Sequence, residues 1–408
     1  MSGRPLRIAV FSDSCLPILN GVSISIDLLV KELRNQGHSV HIYTAAHFKH
    51  KDSDPNTFRF AAVETPWTKN YPLAFPPFFP MLRKFRQNTY DVIHTHTPFT
   101  IGFVGLRWAQ SHEIPVVATY HTLYDRYAHY IPAPRRYVRY KIAKHTHFYY
   151  NRVDQIITPS EAAAKWLKRH EVDRPMHVIP TGAPNRAFLD RAEARHALGY
   201  LPHHKVLLYV GRLAREKNLE LLFESVSLVF CQEPDARLIV VGDGPHRDAC
   251  VTIARRLGIG DRVHFAGFVP RDEVDRFYAA ADLFVFASIT ETQGLVIQEA
   301  MTHGLPAIAV VGGGASAAIV DGLNGFVTKN SVSDLSLAIG DVLRDTDLLD
   351  RLAQGAARST KVHTVANMAN QVAQVYRLAI DVGKQSPSDR ALVEPRESSL
   401  QPPYSPKQ

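Results

Sequence analysis

AADLFVFASITETQGLVIQEAMTHGLPAIAV, residues Ala280 to Val310, holds a complete strand, helix, strand unit. The apolar, β-rich run Asp282 to Ala287 reads as a buried parallel strand, and Ser288 to Gln293 as a polar link. Gly294 to His303 has helical composition closed by Gly304, and Pro306 to Val311 supplies the second strand. Such a helix N-terminus presents the backbone N–H groups of Gly294, Leu295 and Val296 to an anion, with the helix dipole adding to the attraction. Glu291 stands just before that terminus and Glu299 eight positions later, inside the helix. A carboxylate is poorly suited to neutralise a phosphate but well suited to accept hydrogen bonds from hydroxyls, so the implied ligand is a phosphate that also carries sugars. Taken alone, two such acids read equally well as solvated helix charges.

Upstream, Lys205 to Val210 reads as the first strand of the same domain, and GRLAREKNL, Gly211 to Leu219, follows it. Arg212 and Lys217 put two cations beside a glycine turn, where they can neutralise a departing diphosphate; the ordinary alternative is a pair of solvated loop charges. Arg237 to Val241 leads into Gly242-Asp243-Gly244-Pro245, again a strand followed by a turn, and Val263 to Gly267 leads into Phe268-Val269-Pro270. Gly312-x-Gly314-x-x-Ala317 mimics a dinucleotide fingerprint but lacks the following strand that ends in an acid, so it reads as a turn under the site. Leu335 to Leu352 and Val365 to Ile380 read as helices. Ser386 to Gln408, rich in Ser, Pro and charge, reads as a disordered tail.

The first half opens with a βαβ pattern: strand Leu6 to Ser12, helix Val22 to Gln36 and strand His38 to Thr44. Ligand sites of doubly wound sheets lie at the carboxyl ends of the strands, where the loop Asp13 to Gly21 runs. Asn20 and Gly21 suit either a structural turn or close backbone approach to a ligand. Asp52-Ser53-Asp54 imitates a metal-binding DxD, but its acids do not follow a strand beside a phosphate loop. His94 and His96, after the strand-like Tyr90 to Ile93, and His145 and His147 lack a third ligand at suitable spacing, and read as structural or substrate-facing histidines. Val153 to Pro159 reads as a strand, Ser160 as a helix cap, Val178 to Pro180 as a short strand and Thr181 to Asn185 as a hinge.

At 408 residues the chain suits two domains, and no run of some 18 apolar residues offers a membrane span. The run Ile8 to Phe11 is too short for a signal-peptide core, so a cytoplasmic protein is expected. Three scattered cysteines point to neither a disulfide framework nor a zinc site. A net charge of +8 makes an acidic partner plausible. Trp67 to Asn88 mixes aromatics, prolines and cations without an acid, and reads either as core or as an element entering a lipid headgroup layer. Arg126 to Arg152 repeats the mixture, with seven Lys or Arg and no Asp or Glu. Basic plus aromatic also suits single-stranded nucleic acid, but no recognition module accompanies it, and no nucleic-acid partner is expected.

The E-x7-E pattern of Glu291 and Glu299 around TQGLVIQ, together with G-R-L-x-x-E-K-N from Gly211, resembles the donor site of the retaining family 4 glycosyltransferases. Asn20-Gly21-Val22, His121-Thr122-Leu123-Tyr124 and Glu291 to Leu295 together resemble the subgroup that glucosylates diacylglycerol at the membrane surface. The resemblance covers nearly the whole chain except the tail. It implies an α/β, GT-B fold: two Rossmann-like doubly wound domains facing a central cleft. Residues 1–182 would bind acceptor, with helix 365–382 packing back on them, residues 183–364 would bind donor, and 383–408 would form the tail. Arg212 and Lys217 would hold the diphosphate, Glu291 the donor-sugar hydroxyls and Glu299 the ribose. Gly21 and the Gly294, Leu295 and Val296 backbone would meet phosphate or sugar, and the backbone about Val269 the base. His121 would sit beside the sugar and reacting centre, with Tyr124, Asp125 and Arg126 on the acceptor side. The implied reaction moves a hexose, glucose from UDP-glucose first, onto a membrane lipid with retention, and needs neither metal nor other cofactor. The expected place is the inner face of the cell membrane, peripherally on an anionic surface. A soluble sugar or sugar-phosphate acceptor and a sugar-nucleotide epimerase are the alternatives, while a non-enzymatic basic binder leaves Arg212, Lys217, Glu291 and Glu299 unexplained.

Overall fold

Alternate residues of the run Arg7–Ser12 enter two different cores, because this strand is covered on both faces. Ile8 and Val10 pack with Ile26, Leu29 and Leu33 of the helix Gly21–Asn35 and with Met368, Val372 and Tyr376 of the helix Val365–Gly383. Ala9 and Phe11 face the opposite way, toward Ile101, Leu106 and Trp108 of the helix Thr100–Ser111. The computed structural model describes residues 4–47, 50, 52–64, 72–75, 78–131, 133–183, 189–361 and 363–383. The chain divides into two compact units, one of Met1–Gly182 with Val365–Gln408, the other Ala183–Thr364.

In chain order the first unit contributes β1 (Arg7–Ser12), β2 (Ser39–Ala45), β3 (Thr57–Phe60), β4 (Ala62–Val63), β5 (Leu73–Ala74), β6 (Val92–Thr95), β7 (Val116–Thr119), β8 (Gln155–Thr158) and β9 (Met176–Val178). Seven of them form one parallel sheet in the order β3-β2-β1-β6-β7-β8-β9, while β4 and β5 pair antiparallel. The second unit contributes β10 (Lys205–Val210), β11 (Ala236–Val241), β12 (Val263–Gly267), β13 (Leu283–Phe286), β14 (Ala307–Val310) and β15 (Gly325–Thr328). Its parallel sheet runs β12-β11-β10-β13-β14-β15 around a single large core. In each sheet the first strand lies inside, and the chain doubles back past it to reach the fourth parallel strand. That reversal opens a crevice beyond the strand ends, between β1 and β6 in one unit and between β10 and β13 in the other.

Two sequence expectations need correction. The expected helix Leu335 to Leu352 is two helices, Val332–Arg344 and Thr346–Ser359, because the side chain of Asp345 accepts from Leu348 N–H at 2.9 Å and starts a new N-terminus. The last strand of the first sheet is Met176–Val178 rather than Val178 to Pro180, since Pro180 has no N–H to continue a ladder. Thr57–Phe60, unassigned in the sequence, is an edge strand paired with β2. Replacing Asp345 with alanine is expected to lower stability by about 1 kcal/mol, a fall of roughly 2–4 °C in Tm read by thermal unfolding.

The aromatic, basic stretches are divided by packing. Of Trp67 to Asn88, residues 67–71 and 76–77 lie outside the described residues. Phe85, on the helix Phe79–Arg86, is buried against Tyr90 and Trp108, whereas Phe79 is 77% exposed. On the helix Arg135–Tyr150, Tyr149 and Tyr150 are core while Tyr137 and Phe148 are exposed. Asp52 and Asp54 of the DxD-like run are engaged by Arg59 and Arg34 respectively. No helix among the described residues is long and apolar enough to cross a membrane. The expected tail, Ser386 to Gln408, lies outside the described residues.

Candidate active site

Three loops meet at the carboxyl edge of the second sheet because their backbones are joined directly. Gly211 N–H donates to the Val241 carbonyl at 3.0 Å, Leu213 N–H to Asp243 at 3.0 Å, and Gly242 N–H to Gly267 at 2.8 Å. So close an approach needs glycine: Gly242 has φ +130°, and a Cβ there would stand 2.0 Å from the Gly211 carbonyl oxygen. The loop then makes a short 3₁₀ turn, Arg215–Lys217, closed by Asn218 in the left-handed region at φ 57°. Asn218 Nδ2 donates to the Ala287 carbonyl at 3.2 Å and to Asn330 Oδ1 at 2.9 Å, tying the turn to the end of β13.

This anchoring brings Lys217 Nζ into an ion pair with Glu291 Oε1, at side-chain exposures of only 12% and 23%. The Glu291 backbone is fixed from beneath, where Gly314 N–H donates to its carbonyl. Gly313, at φ +69°, passes so close that a Cβ would lie 2.6 Å from the same oxygen. Gly312 to Gly314 therefore form a turn under Glu291 rather than a dinucleotide loop. Arg212 is exposed at the start of the first loop. The cluster thus holds a cation and a carboxylate in one ion pair at the strand edge.

The helix after Glu291 is Leu295–Thr302, with Gly294 as its N-cap. Leu295 N–H donates to the Gln293 carbonyl at 3.1 Å. For Gly294 and Val296 N–H no acceptor is recorded among the described residues. Glu299 accepts from Tyr278 Oη at 3.2 Å on one oxygen, and its other oxygen lies 3.5 Å from Arg271 Nη2. Sequence reading found neither partner. Arg271 directly follows Phe268-Val269-Pro270, where Val269 is half-buried against the core and Phe268 exposed.

In the first unit the corresponding edge carries the histidines. Asn20 caps the helix Gly21–Asn35 through a capping box with Ser23 and donates from Nδ2 to Ser14 Oγ at 2.8 Å, so its side chain is structural. Gly21 is exposed at the first helical position. Asp13 accepts from Thr97 Oγ1 at 2.6 Å and from Ile101 N–H at 3.0 Å, serving the uncapped start of the helix Thr100–Ser111, and burial raises its pKa. His121, just beyond β7, meets His96 Nδ1 through its Nε2 at 2.9 Å. His94 is held by Tyr376 Oη and Thr119 Oγ1, each at 2.7 Å, and its ring lies 4.0 Å from that of His96. Tyr124, on a 3₁₀ turn, packs against Phe99 and Tyr120, with exposed Arg126 two residues on. Asp125 Oδ1 is buried without a recorded partner among the described residues. The other pair serves structure: His145 Nε2 bonds the Pro98 carbonyl at 2.6 Å and His147 Nδ1 the His170 carbonyl at 3.3 Å.

Burial lowers the pKa of His94 to about 3 and of His121 to about 4, and places His96 well below its ordinary value. In the unfolded chain each protonates near about 6.5. Below that pH the unfolded state binds protons that the folded unit refuses, so stability falls with pH. The fall is about 1.4 kcal/mol per pH unit per histidine, continuing to about pH 4 for His121 and about pH 3 for His94. Denaturant midpoints measured between pH 7.5 and 5 are expected to drop steadily below about 6.5, and a flat profile would contradict neutral burial.

The family models for "Glycosyl transferases group 1" and "Glycosyltransferase Family 4" match residues 190–359 and 19–184 respectively. An alpha-monoglucosyldiacylglycerol synthase of Streptococcus pneumoniae is 35% identical over 318 residues, 74% of this chain and 71% of the relative. Another enzyme so named, from Acholeplasma laidlawii, is 30% identical over 392 residues, 92% of this chain and 98% of the relative. Among solved structures, the sucrose-phosphate synthase of Thermosynechococcus elongatus superposes with a TM-score of 0.74 at 24% identity, covering 92% of this chain and 100% of that one, a likeness of fold.

Proposed function

Because the chain belongs to glycosyltransferase family 4, we propose that this transferase moves glucose from UDP-glucose onto a membrane lipid such as diacylglycerol, with retention of anomeric configuration. The similarity to two monoglucosyldiacylglycerol synthases, one of them along almost its whole length, carries the proposal. In this reading Lys217 and Arg212 neutralise the diphosphate, which has no metal partner, while Glu291 accepts hydrogen bonds from sugar hydroxyls and Glu299 from ribose. Gly21 and the Gly294 and Val296 N–H groups lie toward phosphate and sugar, the backbone about Val269 toward the base, and His121 beside the transferred sugar. Tyr124, Asp125 and Arg126 flank the acceptor. The acceptor O–H attacks the anomeric carbon on the face the phosphate leaves; the C–O bond to phosphate breaks and the departing phosphate oxygen takes the proton. A trapped and kinetically competent glycosyl adduct on Glu291 would replace this route with a double displacement.

The protein acts peripherally on an anionic membrane surface, the inner face of the cell membrane, with the exposed Phe79, Tyr137 and Phe148 and neighbouring cations meeting lipid. Burial of Phe85, Tyr149 and Tyr150 removes part of that aromatic surface and favours a second reading, a soluble sugar or sugar-phosphate acceptor. The test is product formation from radiolabelled UDP-glucose with anionic micelles containing diacylglycerol, beside GDP-mannose and soluble acceptors. A labelled lipid is expected; label in a soluble product instead assigns the second reading.

A further inference from the structure

His96 is fully enclosed, with its residue 1% exposed, and its two ring nitrogens have different fates. Nδ1 meets His121 Nε2 at 2.9 Å, while Nε2 is buried with no partner among the described residues. A neutral imidazole carries one proton, so the contact allows two arrangements. If His121 donates, the His96 proton sits on the orphaned Nε2, leaving a buried N–H unsatisfied. If His96 donates from Nδ1, the orphan is a lone pair. Buried N–H groups without an acceptor are the rarer and costlier of the two defects. Both side chains are neutral, so no third arrangement with a shared extra proton competes near neutral pH.

From this contact we infer that His96 is a positioning residue, whose Nδ1–H fixes His121 as the tautomer with its proton on Nδ1. His94 supports the arrangement from behind. Its ring lies 4.0 Å from that of His96, and its own nitrogens are pinned by Tyr376 and Thr119. The His96 ring is thereby confined between two others, since it also stacks on His121 at 5.2 Å and 21°. The consequence for chemistry is specific: His121 turns a hydrogen-bond donor, and not a base, to whatever its Nδ1 meets. The inference rests on the reading of His121 as the residue beside the transferred sugar, where a neutral donor suits a hydroxyl or carbonyl-like oxygen.

Nitrogen-15 NMR of histidine-labelled protein reads the tautomer directly, with His121 assigned by comparison with His121→Gln. The Nδ1–H pattern is expected for His121 in the wild type; the Nε2–H pattern would overturn the inference whatever the activity. His96→Asn keeps an amide N–H near the position of Nδ1, and is expected to retain the His121 pattern and most of kcat. His96→Leu is expected to mix the tautomers and lower kcat by roughly 10–100-fold, as for other residues that orient an imidazole, with little change in KM for the sugar nucleotide. Equal losses in the two variants, with the wild-type pattern kept in both, would make His96 merely structural. If the Nδ1–H pattern is found but no sugar is transferred to any acceptor, the proposed function fails and the tautomer assignment stands.

Discussion

Lys217→Ala is expected to lower sugar transfer by about 10²–10³-fold, the loss typical of removing one preorganised group aimed at developing charge. Two physical terms add in this variant. On the proposed reading, the diphosphate loses a cation that the Asn218 turn has already placed. Glu291 also loses its counter-charge and, on the same reading, is left as an uncompensated carboxylate near the phosphates. The effect belongs mainly in kcat, because negative charge on the leaving oxygen grows as the glycosidic bond breaks. Steady-state kinetics with UDP-glucose separates the possibilities: a loss confined to KM makes Lys217 a ground-state contact only. The double variant Lys217→Ala/Glu291→Ala should lose less than the product of the single losses, since the two side chains share one ion pair.

Gly242→Ala is expected to be strongly damaging to the second unit. The residue needs φ +130°, which costs an L side chain of order 1–3 kcal/mol, and its Cβ would meet a carbonyl oxygen at 2.0 Å. Backbone on the other side gives way only by parting the loops after β10 and β11, adding roughly 1–3 kcal/mol. A fall in Tm on the order of 10 °C follows, read by calorimetry together with loss of sugar-nucleotide binding. Gly258→Ala is the matched control. It shares the left-handed backbone, at φ +69°, but nothing lies within 4 Å of the added carbon. It should cost only about 1 kcal/mol. Equal losses in the two variants would remove the steric part of the argument.

The parallel strands were legible because a strand buried on both faces must be apolar throughout; Lys205–Val210 is a strand over the residues read from sequence. The loops carrying Arg212, Lys217 and Glu291 were legible too, because glycines and charges at fixed offsets after a strand survive in one dimension. What sequence concealed is set by partners distant in the chain. Tyr278 and Arg271 reach Glu299 from 21 and 28 positions away with no spacing signal. The His96 to His121 contact exists only because β6 and β7 are neighbours in the sheet. The turn of the Leu295 N–H back on Gln293 is a local choice that composition does not encode. Asp345 was legible in principle, being an acid three residues ahead of a free N–H, but the apolar period continued through it.

The helix Val365–Gly383 completes a unit that the chain begins at its other end, and this orders events during synthesis. The second unit is one uninterrupted length and leaves the ribosome ready to fold. The first must wait with the Ile8 and Val10 face covered only by the helix Gly21–Asn35 and with His94 lacking the Tyr376 hydroxyl, for roughly 10–40 s at ordinary elongation rates. The earlier half of the nascent protein thus stays incomplete, with apolar surface open to chaperones, for as long as the later half is being made.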